Sequence, residues 1–150
     1  DGRFVVVWRD GSDTDGDPSQ AIRARIYNAD GTPAGAQFRI NTTVTDIQYR
    51  PEVTALQNGG FAVIWTDGSQ TPPDTSAAGR LQVFGPGGAP VGIERLVPQI
   101  TTNTQSYSDI TTLSDGRIVA VWEDYSTTPP DTTGAGIKAR ILNADGRQNG

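Results

Sequence analysis

DGRFVVVW (1–8), NGGFAVIW (58–65) and DGRIVAVW (115–122) are three versions of one string, each starting 57 residues after the last. Asn, Asp and Gly tolerate positive φ, so the opening of each string reads as a tight turn. The continuous apolar run that follows, ending on Trp8, Trp65 or Trp122, reads as a strand buried on both faces. An aspartate stands two residues beyond each tryptophan, at Asp10, Asp67 and Asp124.

The correspondence continues outward. ARIYNADG ends at Gly31 and QVFGPGG at Gly88 in the same register; KARILNADG ends at Gly146 after one extra residue. DIQYRPEVTAL (46–56) matches NTQSYSDITTL (103–113), aligning Gln48 with Gln105, and SQTPPDT (69–75) matches STTPPDT (126–132). Each unit reads as four strands. The first is PEVTAL (51–56) or SDITTL (108–113), and the second is the apolar run. The third is AIRARIYN (21–28), RLQVF (80–84) or IKARIL (137–142), and the fourth AQFRIN (36–41) or ERLVP (94–98). In the third strand Ile22, Ala24 and Ile26 alternate with Arg23 and Arg25, which predicts one wet face.

One all-β unit of about 57 residues, repeated about 2.6 times, therefore accounts for nearly the whole chain. The units are 1–57, which starts at a second strand, 58–114, and the incomplete 115–150, in one continuous repeat domain. A four-stranded antiparallel sheet with two apolar faces cannot hide both alone; neighbouring copies must cover them. β-Propeller blades solve this problem, with the first strand innermost and the fourth outermost. Propellers close with about four to eight blades, so the expectation is a partial ring, completed by a longer chain or by a homo-oligomer. An open stack or a β-sandwich-like array is the alternative.

Composition narrows function. There are 18 Gly, 10 Pro, only three Glu and one Lys (Lys138), which suits short strands and polar turns. With no Cys and no His, disulfides, thiolate metal sites and Ser-His nucleophile pairs are excluded. The net charge of −5 repels phosphate backbones, so no nucleic acid is expected as a partner. No apolar run reaches the roughly 20 residues of a membrane-spanning helix. The chain opens at Asp1 rather than Met, as a processed or excised piece would, and its Asp-rich, Cys-free make-up suits an extracellular setting.

QYRPEVTALQNGGFAVIW (48–65), with the Asp30-Gly31 turn and FRINTT (38–43), resembles repeats of very large secreted bacterial proteins of the hemolysin-type, RTX-associated adhesin class. That resemblance implies secretion or cell-surface display, a repeat scaffold and calcium-dependent folding or adhesion, and it carries over no catalytic residue. The G-G-x-G-x-D nonapeptide array is absent, so nonapeptide calcium sites are not implied. The blade pattern is also similar to sialidase-type propellers, but the S-x-D-x-G-x-x-W box is missing; Asn28-Ala29-Asp30-Gly31 holds its turn without the Ser or Trp.

The acidic loop after the first strand offers Asp10, Asp13, Asp15 and Asp17 as metal ligands. Ca²⁺ takes six to eight oxygens, and alternate aspartates on a short Gly-bearing loop can converge on one ion. A solvated acidic turn is the plain alternative, and the later loops offer only Asp67 with Asp74 and Asp124 with Asp131. Trp8, Trp65 and Trp122 recur as core residues do, rather than as sugar platforms. Arg23, Arg25, Arg80 and Arg140 on the third strands read as cross-strand partners of acids before they read as a carboxylate-sugar cluster. Gln48 and Gln105 are expected to bond neighbouring backbone. Glu52, Asp109 and Glu123 are the acids near strand ends that a glycosidase or lyase would have to use. The reading is a non-enzymatic extracellular scaffold or adhesin-type module, calcium-stabilised, engaging a glycan or cell-surface ligand. A carbohydrate-binding lectin-like propeller is the alternative.

Overall fold

The computed structural model describes residues 2–12, 20–129 and 132–148. Its strands are β1 (Phe4–Asp10), β2 (Ala21–Tyr27), β3 (Phe38–Arg39), β4 (Gln48–Ala55), β5 (Phe61–Asp67), β6 (Ala78–Phe84), β7 (Pro90–Leu96), β8 (Gln105–Thr112), β9 (Ile118–Asp124) and β10 (Gly136–Leu142). They pair in chain order into three sheets, β1-β2-β3, β4-β5-β6-β7 and β8-β9-β10, and every strand pairing is antiparallel. The fold is all-β, and no helix among the described residues is long and apolar enough to cross a membrane. The window 1–57 holds the first sheet together with β4, the opening strand of the second.

The turns form where Gly supplies positive φ. At the β4–β5 turn Gly59 has φ of 80° and donates to the Leu56 carbonyl at 3.0 Å, while Asn58 Oδ1 accepts from Gly60 N at 2.9 Å. One repeat later Gly116, at φ 86°, donates to the Leu113 carbonyl at 2.9 Å.

Several strand bounds differ from the sequence expectation. β4 and β8 begin three residues earlier than PEVTAL and SDITTL, because a bulge between Tyr49 and Glu52, and its counterpart between Ser106 and Asp109, lets pairing resume upstream. Arg50 and Tyr107 carry the bulges in left-handed backbone, at φ 54° and 52°. The fourth strand of the first unit shrinks to Phe38–Arg39, paired only with Ala24 and Arg23.

Sheet β4–β7 lies between the other two. Along β5 every side chain is buried, and alternate residues serve different cores. Phe61, Val63 and Trp65 join Ile22, Ala24, Ile40 and Phe84 on the side of the first sheet. Ala62 and Ile64 join Leu81, Val83, Ile118, Ala120 and Trp122 on the side of the third. A period of two with both faces apolar is why the string reads as unbroken hydrophobic sequence.

Polar contacts fasten the sheets where their first strands meet. Thr54 and Thr112 share a hydroxyl bond at 3.1 Å, Thr112 Oγ1 donates to the Ala55 carbonyl at 2.8 Å, and Gln57 Nε2 donates to the Ser114 carbonyl at 2.7 Å. On the other side Glu94 of β7 accepts from Thr42 N at 2.7 Å and Thr42 Oγ1 at 2.8 Å. The outer faces of the first and third sheets have no such cover among the described residues: Phe4 is 47% exposed and Ile137 77%.

Candidate functional site

An aspartate ends each Trp-bearing strand, and its surroundings differ from sheet to sheet. In the second, Asp67 is fully buried. Its Oδ1 accepts from Gln48 Nε2 at 2.8 Å and Ser69 N at 2.9 Å, and its Oδ2 from Ser69 Oγ at 2.8 Å and from Arg80 Nε. Gln48 Oε1 in turn accepts from the Trp65 indole at 3.0 Å. Buried polar groups must find partners, and here three strands, β4, β5 and β6, and the loop after β5 supply them. In the first sheet Asp10 pairs with Arg23 Nε at 2.5 Å and accepts from Ser12 N at 3.1 Å and Ser12 Oγ at 2.8 Å. In the third, Asp124 accepts from Ser126 N and Oγ, both at 2.9 Å, with Lys138 Nζ 3.7 Å away.

Arg23 is therefore buried, 1% exposed, and not on a wet face as the alternation predicted. Its guanidinium is drawn inside by the Asp10 carboxylate, two residues along β1 from Trp8, the register partner of Arg23. Gln48 and Gln105 bond backbone as expected, to the Thr45 carbonyl at 3.3 Å and the Thr102 carbonyl at 2.8 Å. Their link to the aspartate directly opposite on the next strand carried no sequence signal beyond recurrence at one spacing.

Of the proposed calcium ligands, Asp13, Asp15 and Asp17 lie outside the described residues, as does Asp131. Asp10 is the described member. Its carboxyl sits below the usual range, chiefly through the Ser12 hydroxyl and then the Arg23 guanidinium, against the opposing effect of burial. Its oxygens thus already bind protein donors. No group of three or more acidic side chains converges among the described residues. Asp74 is 1% exposed; its Oδ1 accepts from Ser76 N at 3.1 Å, but Oδ2 has no partner, and burial raises its pKa.

The exposed chemistry gathers at the bulges. The Arg50 guanidinium lies over the Tyr107 ring, 3.5 Å from its centroid, so one bulge residue stacks on its counterpart in the next sheet. Tyr107 is 58% exposed and Tyr125 40%. The two rings border a cavity of about 580 Å³ completed by Ser76, Asn103, Thr104 and Ser106. A second cavity of about 400 Å³ is lined by the same tyrosines with Val121, Trp122, Glu123 and Ile137. The charge of Glu123 raises the Tyr125 phenol pKa, keeping it a neutral donor. Glu52 and Asp109 are exposed at equivalent places on β4 and β8, and Asp109 Oδ1 accepts from Ile110 N at 2.7 Å. Arg25, far from this cluster, donates to the Gly35 carbonyl at 2.9 Å, and Arg140 donates to the Val97 carbonyl across the second and third sheets. The arginines do not form one cluster. The tyrosine pair was not singled out from sequence, because only the fold brings β8 and the residue after β9 together.

No family model matches the chain, and no curated protein does. Among solved structures it is similar to a GH43 protein of Bacillus licheniformis, BlXynB, in a mutant form, with a TM-score of 0.42 and 15% identity. The match covers 88% of this chain and 29% of that one, so the chain spans less than a third of that protein's length.

Proposed function

We propose that the chain is an extracellular scaffold of stacked, propeller-blade-type sheets that serves as a binding module of the adhesin kind rather than as an enzyme. The observation that carries this reading is the recurring carboxylate at Asp10, Asp67 and Asp124, half-buried in the first sheet and buried in the other two. One aspartate per sheet takes a basic partner from the adjacent strand and a Ser cap from its own loop. An acid repeated with the fold and held by the same partners serves the fold. Calcium at the loop after β1 belongs to the same proposal, with Asp10 anchoring the loop and Asp13, Asp15 and Asp17 offering the carboxylates. A melting curve with and without EDTA tests it: a lower midpoint in EDTA is expected, and coincident curves would remove the metal.

A second reading, a lectin-like site, is favoured by the Tyr107–Tyr125 cavity. Sugar rings present flat C–H faces that lie on aromatic rings, while their hydroxyls take bonds from groups such as Asn103 and Ser76. The ligand class is a neutral saccharide. A glycan array followed by titration of its best binder tests this, with Tyr107→Ala and Tyr125→Ala as comparisons. Loss of binding by about tenfold or more in each variant is expected, and an array without signal would count against the site.

A further inference from the structure

The faces that the second sheet buries can be followed, position by position, onto the two faces left open. Phe61, Val63 and Trp65 are covered by the first sheet. Their counterparts one repeat earlier are Phe4, Val6 and Trp8, on the outer face of that first sheet, where Phe4 is 47% and Val6 42% exposed. The covering role is filled toward Trp122 by Ala62, Ile64, Leu81 and Val83. By strand pairing, their counterparts in the third sheet are Val119, Val121, Ala139 and Ile141, with Ile137 beside them. This is the molecule's other open face, where Ile137 is 77% and Ile141 41% exposed. One end therefore presents the face that is covered twice inside the chain, and the other presents the face that does the covering. Contiguous apolar patches of this kind on a water-facing sheet mark association sites.

A difference between the sheets agrees with this. In the covered sheet Gln48 Nε2 stands 2.8 Å from Asp67 and Gln48 Oε1 3.0 Å from the Trp65 indole. In the half-covered third sheet the Gln105–Asp124 distance is 3.4 Å, and Trp122 Nε1 and Gln105 Oε1 are buried without partners.

We propose that a second copy of this chain docks head to tail, its first sheet on the third sheet of its neighbour, repeating the packing found twice within one chain. The contact is heterologous, so it builds either a closed ring or an open stack. It draws on the stacking half of the functional reading alone, and an absence of saccharide binding would leave it standing.

Sedimentation velocity on Val6→Asp and Ile137→Asp decides the matter. Each variant blocks one face and leaves the other intact. The wild-type chain is expected to associate increasingly with concentration, each variant alone to remain monomeric, and an equimolar mixture of the two to form a dimer. A monomeric wild type, a variant that still associates alone, or a mixture that stays monomeric would each overturn the proposal. Far-UV circular dichroism confirms that the variants keep their strands. Val6→Lys and Ile137→Lys, at the same exposed positions, replace either one that does not.

Discussion

Gln48 accepts a hydrogen bond from the Trp65 indole at 3.0 Å while donating to Asp67 at 2.8 Å, and so ties the first strand of the middle sheet to the second. Gln48→Ala leaves a buried N–H and a buried carboxylate short of one bond each. A loss of about 1 to 3 kcal/mol per unsatisfied group is typical. Urea unfolding should show Gln48→Ala destabilised by that order. Gln105→Ala should lose less, because its contact with Asp124 is already 3.4 Å long and its Oε1 is unbonded. Equal losses would contradict the difference between the sheets.

The basic partner of each aspartate should follow the same gradient. Arg80 is 11% exposed in its side chain and bonds an Asp67 that is wholly buried, whereas Lys138 is 33% exposed and sits 3.7 Å from Asp124. Removing one partner of a buried pair costs about 3 to 5 kcal/mol, and an exposed pair contributes about 0 to 1 kcal/mol. Arg80→Ala is therefore expected to lower the urea midpoint far more than Lys138→Ala. A reversed order would mean that Asp67 does not depend on Arg80.

Asp74 gives a pH-dependent test. Burial raises its carboxyl pKa in the folded chain above the ordinary 3.8, so the folded state holds the proton more tightly than the unfolded one. The sign follows from linkage: as pH rises from the ordinary carboxylate range through the raised folded value, this group lowers stability, and above that window the loss is complete. Asp74→Asn keeps the acceptor for Ser76 N and removes the titration. The variant is expected to be more stable than wild type at neutral pH, with the gain vanishing at pH values below the ordinary range. A gain that does not change with pH would show that charge is not its cause.

The repeat, the four strands of the middle sheet and the burial of its apolar run were legible because each has a short-range cause: turn residues at a fixed interval and an unbroken hydrophobic string. The same string in β1 was expected to be buried on both faces, but Phe4 and Val6 stand open because no further sheet covers them among the described residues. Asp67 with Arg80 was legible as a kind of pairing, since acid and base lie diagonally on adjacent strands of one ladder. The bulges at Arg50 and Tyr107 were not, because neither residue is a Gly that advertises positive φ; their backbone follows from the pairing that Gln48 and Gln105 make upstream. The wet face expected of β2 failed at Arg23, where a charge is buried with its counter-charge. The exposed Tyr107–Tyr125 pair depends on strands from different parts of a unit, and spacing alone does not bring them together.

Copies of one sheet cover each other, so the three tryptophans should differ only by how many neighbours they have. Three variants that each keep a single tryptophan, the other two replaced by Phe, measure this by acrylamide quenching. Val6→Asp in each variant keeps the chains apart. Trp65, wholly buried, and Trp122, 6% exposed, are expected to be protected, and Trp8, on the open face, to be readily quenched. A Trp8 as protected as Trp65, or a Trp65 as accessible as Trp8, would contradict this mutual covering.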